Sequence, residues 1–262
     1  MVIAVAVHAV GSPTGRLPLP GSIARRSAPE PPRLALRGHI RTVSGGGTIY
    51  AQEDEARFIY QVESGVVCTA TPRTDGRRVI HDFYLRGEIF GLELGSQHHC
   101  SAEAIGETQV VQCPRSRIEG TVGEDEEMAR ALHLCLLQER DQTAERSACL
   151  MYGSAFERLA YFLLDMASRA PARGPFELLM SRYDIADHLG LSSETVSRTF
   201  SVFRKHGLIA TRGRQVTLLD DRIRRRAGAA SSSDDWRMPL PAGTPLADRG
   251  GRWPATGDRD YG

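Results

Sequence analysis

From His39 to Gly123 the apolar, β-branched and aromatic positions fall in short runs separated by glycine. Phe58-Ile59-Tyr60-Gln61-Val62-Glu63-Ser64-Gly65-Val66-Val67 is the richest of these runs, and its side chains suit a pleated, half-buried surface. Asp75-Gly76 predicts a two-residue type I′ turn between strands at Val66–Thr71 and Arg77–Phe83. Gly87, Gly91, Gly95 and Gly106 leave room only for short strands beyond it. Residues 39–123 therefore read as an all-β barrel or roll. After Gly123 the pattern turns helical. Glu124, Asp125, Glu126 and Glu127 put negative charge at a helix N-terminus, where the helix dipole favours it. Met128, Leu132, Cys135, Leu136, Gln142 and Cys149 then trace a stripe, and the run reaches Tyr152 without Gly or Pro. A long helix with one apolar seam pairs with a second copy or packs on its own β domain. The pattern favours pairing, so residues 124–152 are expected to be a dimerisation helix. Ser154-Ala155-Phe156-Glu157 is a capping box that starts a further helix, with Phe156, Leu159, Ala160, Leu163, Met166 and Ala167 on one face.

The segment Arg182–Ser201 carries the most specific pattern in the chain. Ser181-Arg182-Tyr183-Asp184 can cap a first helix whose Ile185, Ala186 and Leu189 face inward. Gly190 supplies the left-handed residue that a tight helix–helix turn needs, and Leu191 packs beneath it. Ser192 or Ser193 caps a second helix, which turns Val196, Thr199 and Phe200 inward and Glu194, Ser197 and Arg198 outward. Arg is suited to guanine O6/N7, Glu to cytosine N4, and Ser to several base edges. As an isolated feature, Glu194 and Arg198 make an ordinary surface pair worth a few tenths of a kcal/mol. Joined to the Ala186, Gly190 and Leu191 spacing, they read as a DNA-recognition surface. Beyond Gly207, Leu208–Leu218 reads as strand, basic turn and strand, a wing with Arg212 and Arg214 placed for phosphates. Ser193, Thr195, Arg204 and Lys205 are the further phosphate candidates.

Charge supports this division. Residues 39–123 hold eight arginines against eleven acidic residues, whereas residues 175–226 hold ten basic residues against six acidic ones. That asymmetry is expected if only the C-terminal part meets a polyanion. Lys205 is the only lysine, so part of the arginine content reflects GC-rich coding. Residues 1–38 and 227–262, rich in proline and lacking periodicity, are expected to be disordered tails. The winged helix-turn-helix domain then spans residues 153–226. No apolar run reaches the length of a membrane span, and MVIAVAVHAV has no preceding basic residue and is too short for a signal peptide. Five scattered cysteines without a CxxC pair fit a reduced, cytoplasmic protein. No P-loop, GxSxG or HExxH is present, so an enzyme is not expected.

In these motifs and their order the chain from about His39 to Asp220 resembles the CRP/FNR superfamily of bacterial regulators. Tyr60-Gln61-Val62-Glu63-Ser64-Gly65, Asp75-Gly76-Arg77-Arg78 and Gly87-Glu88-Ile89-Phe90-Gly91 match the glycine frame of its β-roll. Glu194-Thr195-Val196-Ser197-Arg198 is similar to the E-x-x-S-R pattern of the FNR and FixK branch. The resemblance implies an α+β fold: an N-terminal cyclic-nucleotide-binding-like β-roll, a long dimerisation helix and a C-terminal winged helix-turn-helix. It further implies a homodimer on double-stranded DNA, with Glu194, Ser197 and Arg198 reading a TTGA half-site of a palindrome, and activation through RNA polymerase.

The sensor positions depart from that pattern. Where cyclic-AMP-binding members carry Glu and Arg, this chain carries Leu92 and Cys100, and a buried phosphate without a guanidinium loses its charge-assisted fork. Residues 1–67 contain no cysteine, whereas FNR holds an iron–sulfur cluster on clustered N-terminal cysteines. No cofactor and no metal is therefore expected. Arg77 and Arg78 should point to solvent, while Arg86 can swing inward. His98-His99-Cys100, with His81, offers soft ligands for metal or haem, but three adjacent residues on a strand cannot converge on one metal. Cys113, Cys135 and Cys149 read as buried apolar residues. The rival reading is a regulatory module that binds a cyclic nucleotide or haem and contacts protein through its C-terminal domain. The basic C-terminal segment and the Glu194/Ser197/Arg198 face argue against it.

Overall fold

Strands β3 (Phe58–Pro72) and β6 (Ser101–Pro114) form the spine of the N-terminal half, pairing antiparallel from Phe58 opposite Pro114 to Ala70 opposite Ser101. The computed structural model describes residues 36–219 apart from 75, 94, 123–125 and 171–173, all of them within one compact unit. Strands β1 (His39–Val43) and β2 (Thr48–Tyr50) pair with β6, and β4 (Arg78–Tyr84) and β5 (Ile89–Phe90) pair with β3. The pairing of β3 with β6 slips on both sides of Ser64, and Gly65 there takes φ +85°. A Cβ on Gly65 would lie 2.4 Å from Thr108 Oγ1, so both the backbone angle and the space require glycine. Tyr50, Tyr60, Tyr84 and Phe90 pack inside the roll with neighbouring ring centroids 5.2–6.2 Å apart. The architecture is the expected α+β arrangement of a β-roll followed by helices and a winged helix-turn-helix.

Three local expectations are corrected. Pairing of β3 with β4 ends at Pro72 opposite Arg78. The Arg73 N–H donates to the Arg77 carbonyl at 2.7 Å, and Gly76 takes φ +78°. The connection is thus longer than two residues, with a left-handed glycine near its end, as longer hairpin loops have. Asp75 itself lies outside the described residues. Helix α1 (Arg115–Val122) follows Pro114 and is anchored by buried Ile118, although the whole stretch reads as strand in sequence. The N-terminal boundary also moves: Leu36 is buried beside Ile59 and Val111, and its N–H donates to Gln61 Oε1 at 3.0 Å. The rest of that tail, residues 1–35, and the tail beyond residue 226 lie outside the described residues.

Helix α2 (Glu126–Tyr152) has one face on the roll. Leu132 packs against the Ile59–Val111 cluster, Glu139 accepts from Tyr84 Oη at 3.3 Å, and Arg146 binds Asp82 at 2.7 Å. Burial holds the Glu139 carboxyl above its usual range. Cys135, Gln142 and Cys149 are half-buried, the Met128 side chain lies outside the described residues, and Leu136, Leu137 and Met151 are exposed, Met151 at 70%.

Helix α3 (Ala155–Arg169) begins with the expected capping box: Ser154 accepts from the Glu157 N–H, and Glu157 returns the bond. Then come β7 (Phe176–Glu177), α4 (Arg182–Leu189), α5 (Ser193–Lys205), β8 (Ile209–Arg212) and β9 (Gln215–Leu218). The sheet order is β7-β9-β8. A single apolar cluster runs from Val66, Cys68, Ile80 and Phe83 of the roll into Leu159, Phe162, Ile185, Leu189, Phe200 and Phe203. His188 sits within it, its ring tilted against those of Phe83 and Phe162 at 5.0 and 5.8 Å between centroids. Its Nδ1 lies 3.2 Å from the Ile80 carbonyl, which makes that nitrogen the protonated donor.

Burial pushes the His188 pKa down to about 4, with Arg146 lowering it further and Asp82, the Ile80 carbonyl and Asp165 opposing. The unfolded chain holds this proton more tightly, at about 6.5. Its contribution to stability is therefore complete above about pH 6.5 and is lost as pH falls toward 4. Denaturant midpoints measured across that window should fall toward acid, and His188→Gln should flatten the difference. A parallel pH profile in the variant would contradict the assignment.

Candidate nucleic-acid interface

The helix-turn-helix is built by local signals that act as expected. Ser181 caps α4, accepting from the Asp184 N–H at 3.1 Å while Asp184 accepts from the Ser181 N–H at 2.7 Å. Gly190 ends α4 at φ +62°, and the Leu191 N–H donates to the Ala186 carbonyl at 3.0 Å. Between the two capping candidates for α5, Ser192 is the one used. Arg158 of α3 ties the turn down, donating to the Gly153 carbonyl at 2.8 Å and to the Leu189 carbonyl at 3.1 Å.

Helix α5 buries Val196, Thr199, Phe200 and Phe203 and exposes Glu194, Ser197 and Arg198. Ser197 Oγ donates to the Ser193 carbonyl at 2.8 Å. Arg198 and Glu194 form an i,i+4 pair at 2.5 Å, with both side chains about two-thirds exposed. An exposed pair of this kind is worth a few tenths of a kcal/mol, so exchanging it for base edges costs little. Among the phosphate candidates, Arg204, Lys205, Arg212 and Arg214 are exposed, while Ser193 and Thr195 are half-buried at the start of α5. Arg214 lies in the β8–β9 turn of the wing, and its carbonyl accepts from the Leu178 N–H.

One residue at this surface escapes the sequence reading. The Arg182 guanidinium lies 3.4 Å over the Phe200 ring, and burial followed by the positive charge of Arg204 lowers its pKa. Neither arginine meets a carboxylate among the described residues, and Arg204 donates to Ser201 Oγ at 3.1 Å. Two cations near enough for one to lower the other's pKa, with no ion pair among the described residues, favour an anion nearby. No local pattern marks Arg182, because Phe200 and Arg204 lie on the next helix.

Cys100 is buried with its thiol pushed up to about 11 by burial, and Leu92 packs with the Ile59–Val111 cluster. Arg86 does not swing inward: its side chain is 78% exposed and pairs with Glu63 at 3.6 Å. Arg77 is exposed as expected. Arg78 is not, and that expectation is corrected: it is bound to Glu103, Asp184 and Asp187. Among the described residues, neither Arg78 nor Arg86 of the roll is turned toward Cys100 as a free guanidinium: both are held by carboxylates. His98 is buried, stacked on Tyr50 at 3.5 Å between centroids, and 3.2 Å from Glu93; His99 is exposed and 2.5 Å from Glu93. His98, His99 and Cys100 do not converge, and no group of three or more His, Cys, Asp or Glu side chains suited to a metal occurs among the described residues. Cys113 is buried. The cysteine positions do not fit an N-terminal iron–sulfur ligand set.

Residues 157–222 match the Crp-like helix-turn-helix domain and residues 40–125 match the cyclic nucleotide-binding domain. The nitrogen fixation regulation protein FixK of Azorhizobium caulinodans is 36% identical over 207 residues, covering 77% of this chain and 84% of that protein. FixK of Bradyrhizobium diazoefficiens is 37% identical over 71% of this chain and 79% of its own length. The structure of FixK2 from Bradyrhizobium japonicum superposes with a TM-score of 0.70 at 36% identity, over 75% of this chain and all of that one. The chain belongs to the CRP/FNR family of helix-turn-helix transcriptional regulators, in its FixK-like branch. It is a DNA-binding regulator and not an enzyme, of a family that binds DNA typically as a dimer. Among the described residues no helix is long and apolar enough to cross a membrane.

Proposed function

We propose that this chain is a cytoplasmic homodimeric activator that reads a TTGA-type palindrome without cyclic AMP or an iron–sulfur cluster. The observation that carries the reading is the exposed Glu194/Ser197/Arg198 face of α5, set on a capped helix and flanked by cations. Glu194, Ser197 and Arg198 read base edges from the N-terminal part of α5. Arg204, Lys205, Arg212 and Arg214, joined by Arg182, hold phosphates, with Ser193 and Thr195 at the helix start. The second copy docks along α2, where Leu136, Leu137 and Met151 leave apolar surface exposed; of the expected seam, Leu132 also serves the roll. RNA polymerase is the activation partner, as the family resemblance implies.

Independence from cyclic AMP is supported by buried Cys100 and by Arg86 facing out. The aromatic rings of Tyr50, Tyr60, Tyr84 and Phe90 occupy the roll interior. Footprinting of the purified chain on promoter DNA, with and without cyclic AMP and oxygen, should give the same two-fold-symmetric protection in every condition. Protection that appears only with cyclic AMP, or only without oxygen, would overturn the ligand-free reading.

A further inference from the structure

Helix α4 is held between two neighbours. One face carries Ile185, Ala186 and Leu189 in the apolar cluster that also contains α5. Another carries Asp184, Asp187 and His188, spaced three and four apart, onto strand β4 of the roll. Arg78 of β4 donates to Asp184 Oδ1 at 2.5 Å, lies 3.7 Å from Asp187 Oδ2 and is bound on its other side to Glu103 of β6. One turn further on, His188 donates to the Ile80 carbonyl of the same strand. Asp184 serves twice, since its second oxygen caps α4 at the Ser181 N–H. The Asp184 side chain is 13% exposed and the Arg78 side chain 33%, so water screens this cluster less than it screens a surface pair.

The bond directions matter more than the count. A planar guanidinium gripping carboxylates on two elements restrains rotation as well as distance. Here those elements are the roll and the first helix of the DNA-binding motif. Helix α5 packs on α4, so whatever orients α4 on β4 also orients α5 relative to the roll.

We propose that Arg78, through Asp184 and Asp187, is a positioning residue that fixes the reading helix against the β-roll and thereby sets which half-site spacing a dimer accepts. The proposal rests on the dimer reading above. In a dimer joined along α2, two rigid protomers present their α5 helices at one separation and one rotation about the DNA axis. Changing the spacer by two base pairs turns one half-site by about 70° relative to the other. A protomer whose DNA-binding motif is held by β4 cannot follow that rotation, whereas a loosened one can.

The test is a spacer series: the TTGA palindrome with its central spacer lengthened or shortened by one and two base pairs, plus a single half-site duplex. Arg78→Met and Asp187→Asn are compared with the parent, with light scattering to read the dimer. The parent should prefer one spacer by about tenfold or more, the size of a single mismatched base pair. Arg78→Met should reduce that ratio to within about threefold, while remaining dimeric and leaving half-site affinity and guanine preference as in the parent. Asp187→Asn, which keeps the Asp184 bond and the α4 cap, should give an intermediate ratio and guards against a folding defect in the first variant. Parent-like spacer ratios in both variants would reduce the cluster to a stabilising contact and overturn the proposal. A parent of monomeric mass would overturn the dimer reading and this proposal together, and the scattering mass distinguishes that case.

Discussion

Replacing Arg198 by alanine is expected to abolish the preference for guanine in the half-site and to cost about 1–3 kcal/mol per contact. A dimer makes the contact twice, so the loss on the full palindrome should approach double that on a single half-site. The partner that Arg198 gives up is Glu194, in an exposed pair at 2.5 Å, and little binding energy is spent in breaking it. Arg214→Ala and Arg182→Ala should behave differently. Each should weaken binding to every sequence alike and lower the salt slope by about one, because a phosphate contact carries no base information. Binding measured on a panel of single-base variants separates the two patterns. If Arg198→Ala merely rescaled affinity across the panel, its role as a base reader would be wrong.

The largest expected loss of stability lies away from the DNA surface, at Arg169. Its side chain is 8% exposed and binds Asp165 at 2.8 Å, Glu88 at 2.5 Å and the Phe83 carbonyl, with Asp82 3.8 Å away. These carboxylates outweigh burial and raise the Arg169 pKa, so the charge is retained. Arg169→Ala removes the cation that pairs with Asp165, Glu88 and Asp82, of which Asp165 and Asp82 are mostly buried. Breaking a buried pair from one side costs about 3–5 kcal/mol, a large share of a domain's usual 5–15 kcal/mol. Asp82 keeps Arg146 at 2.7 Å, which places the expectation toward the lower end. Denaturant unfolding of the variant measures it directly. A loss under about 1 kcal/mol, the range of exposed ion pairs, would show that water reaches the cluster.

What could be read from the sequence follows from how local each determinant is. The caps at Ser154 and Ser181, the left-handed Gly190 and the inward face of α5 depend on residues within one or two turns, and all stand where expected. The wing was legible for the same reason, as two short strands around Gly213. Long-range partners were not. Arg78 reads as a solvent-facing hairpin residue until α4 is brought onto β4, 106 positions later in the chain. Arg182 reads as a helix cap until Phe200 comes beneath it. The stripe on α2 shows a third limit. Its period establishes a helix with an apolar face, yet Leu132 meets the roll while Leu136 faces out. Period alone cannot say which neighbour covers which part of a stripe. Helix α1 was missed because eight residues, RSRIEGTV, with apolar side chains only at Ile118 and Val122 are too few to show a period.

If α5 reads a specific palindrome with nothing bound in the roll, the unliganded protein alone should discriminate DNA sequences. The most direct measurement is a fluorescence-anisotropy titration of the purified, unliganded full chain. It compares a TTGA palindrome with a scrambled duplex of the same composition, at two salt concentrations. The palindrome should be preferred by about a thousandfold or more at physiological salt, with affinity for both duplexes falling as salt rises. Equal affinity for the two duplexes at both salt concentrations would contradict it.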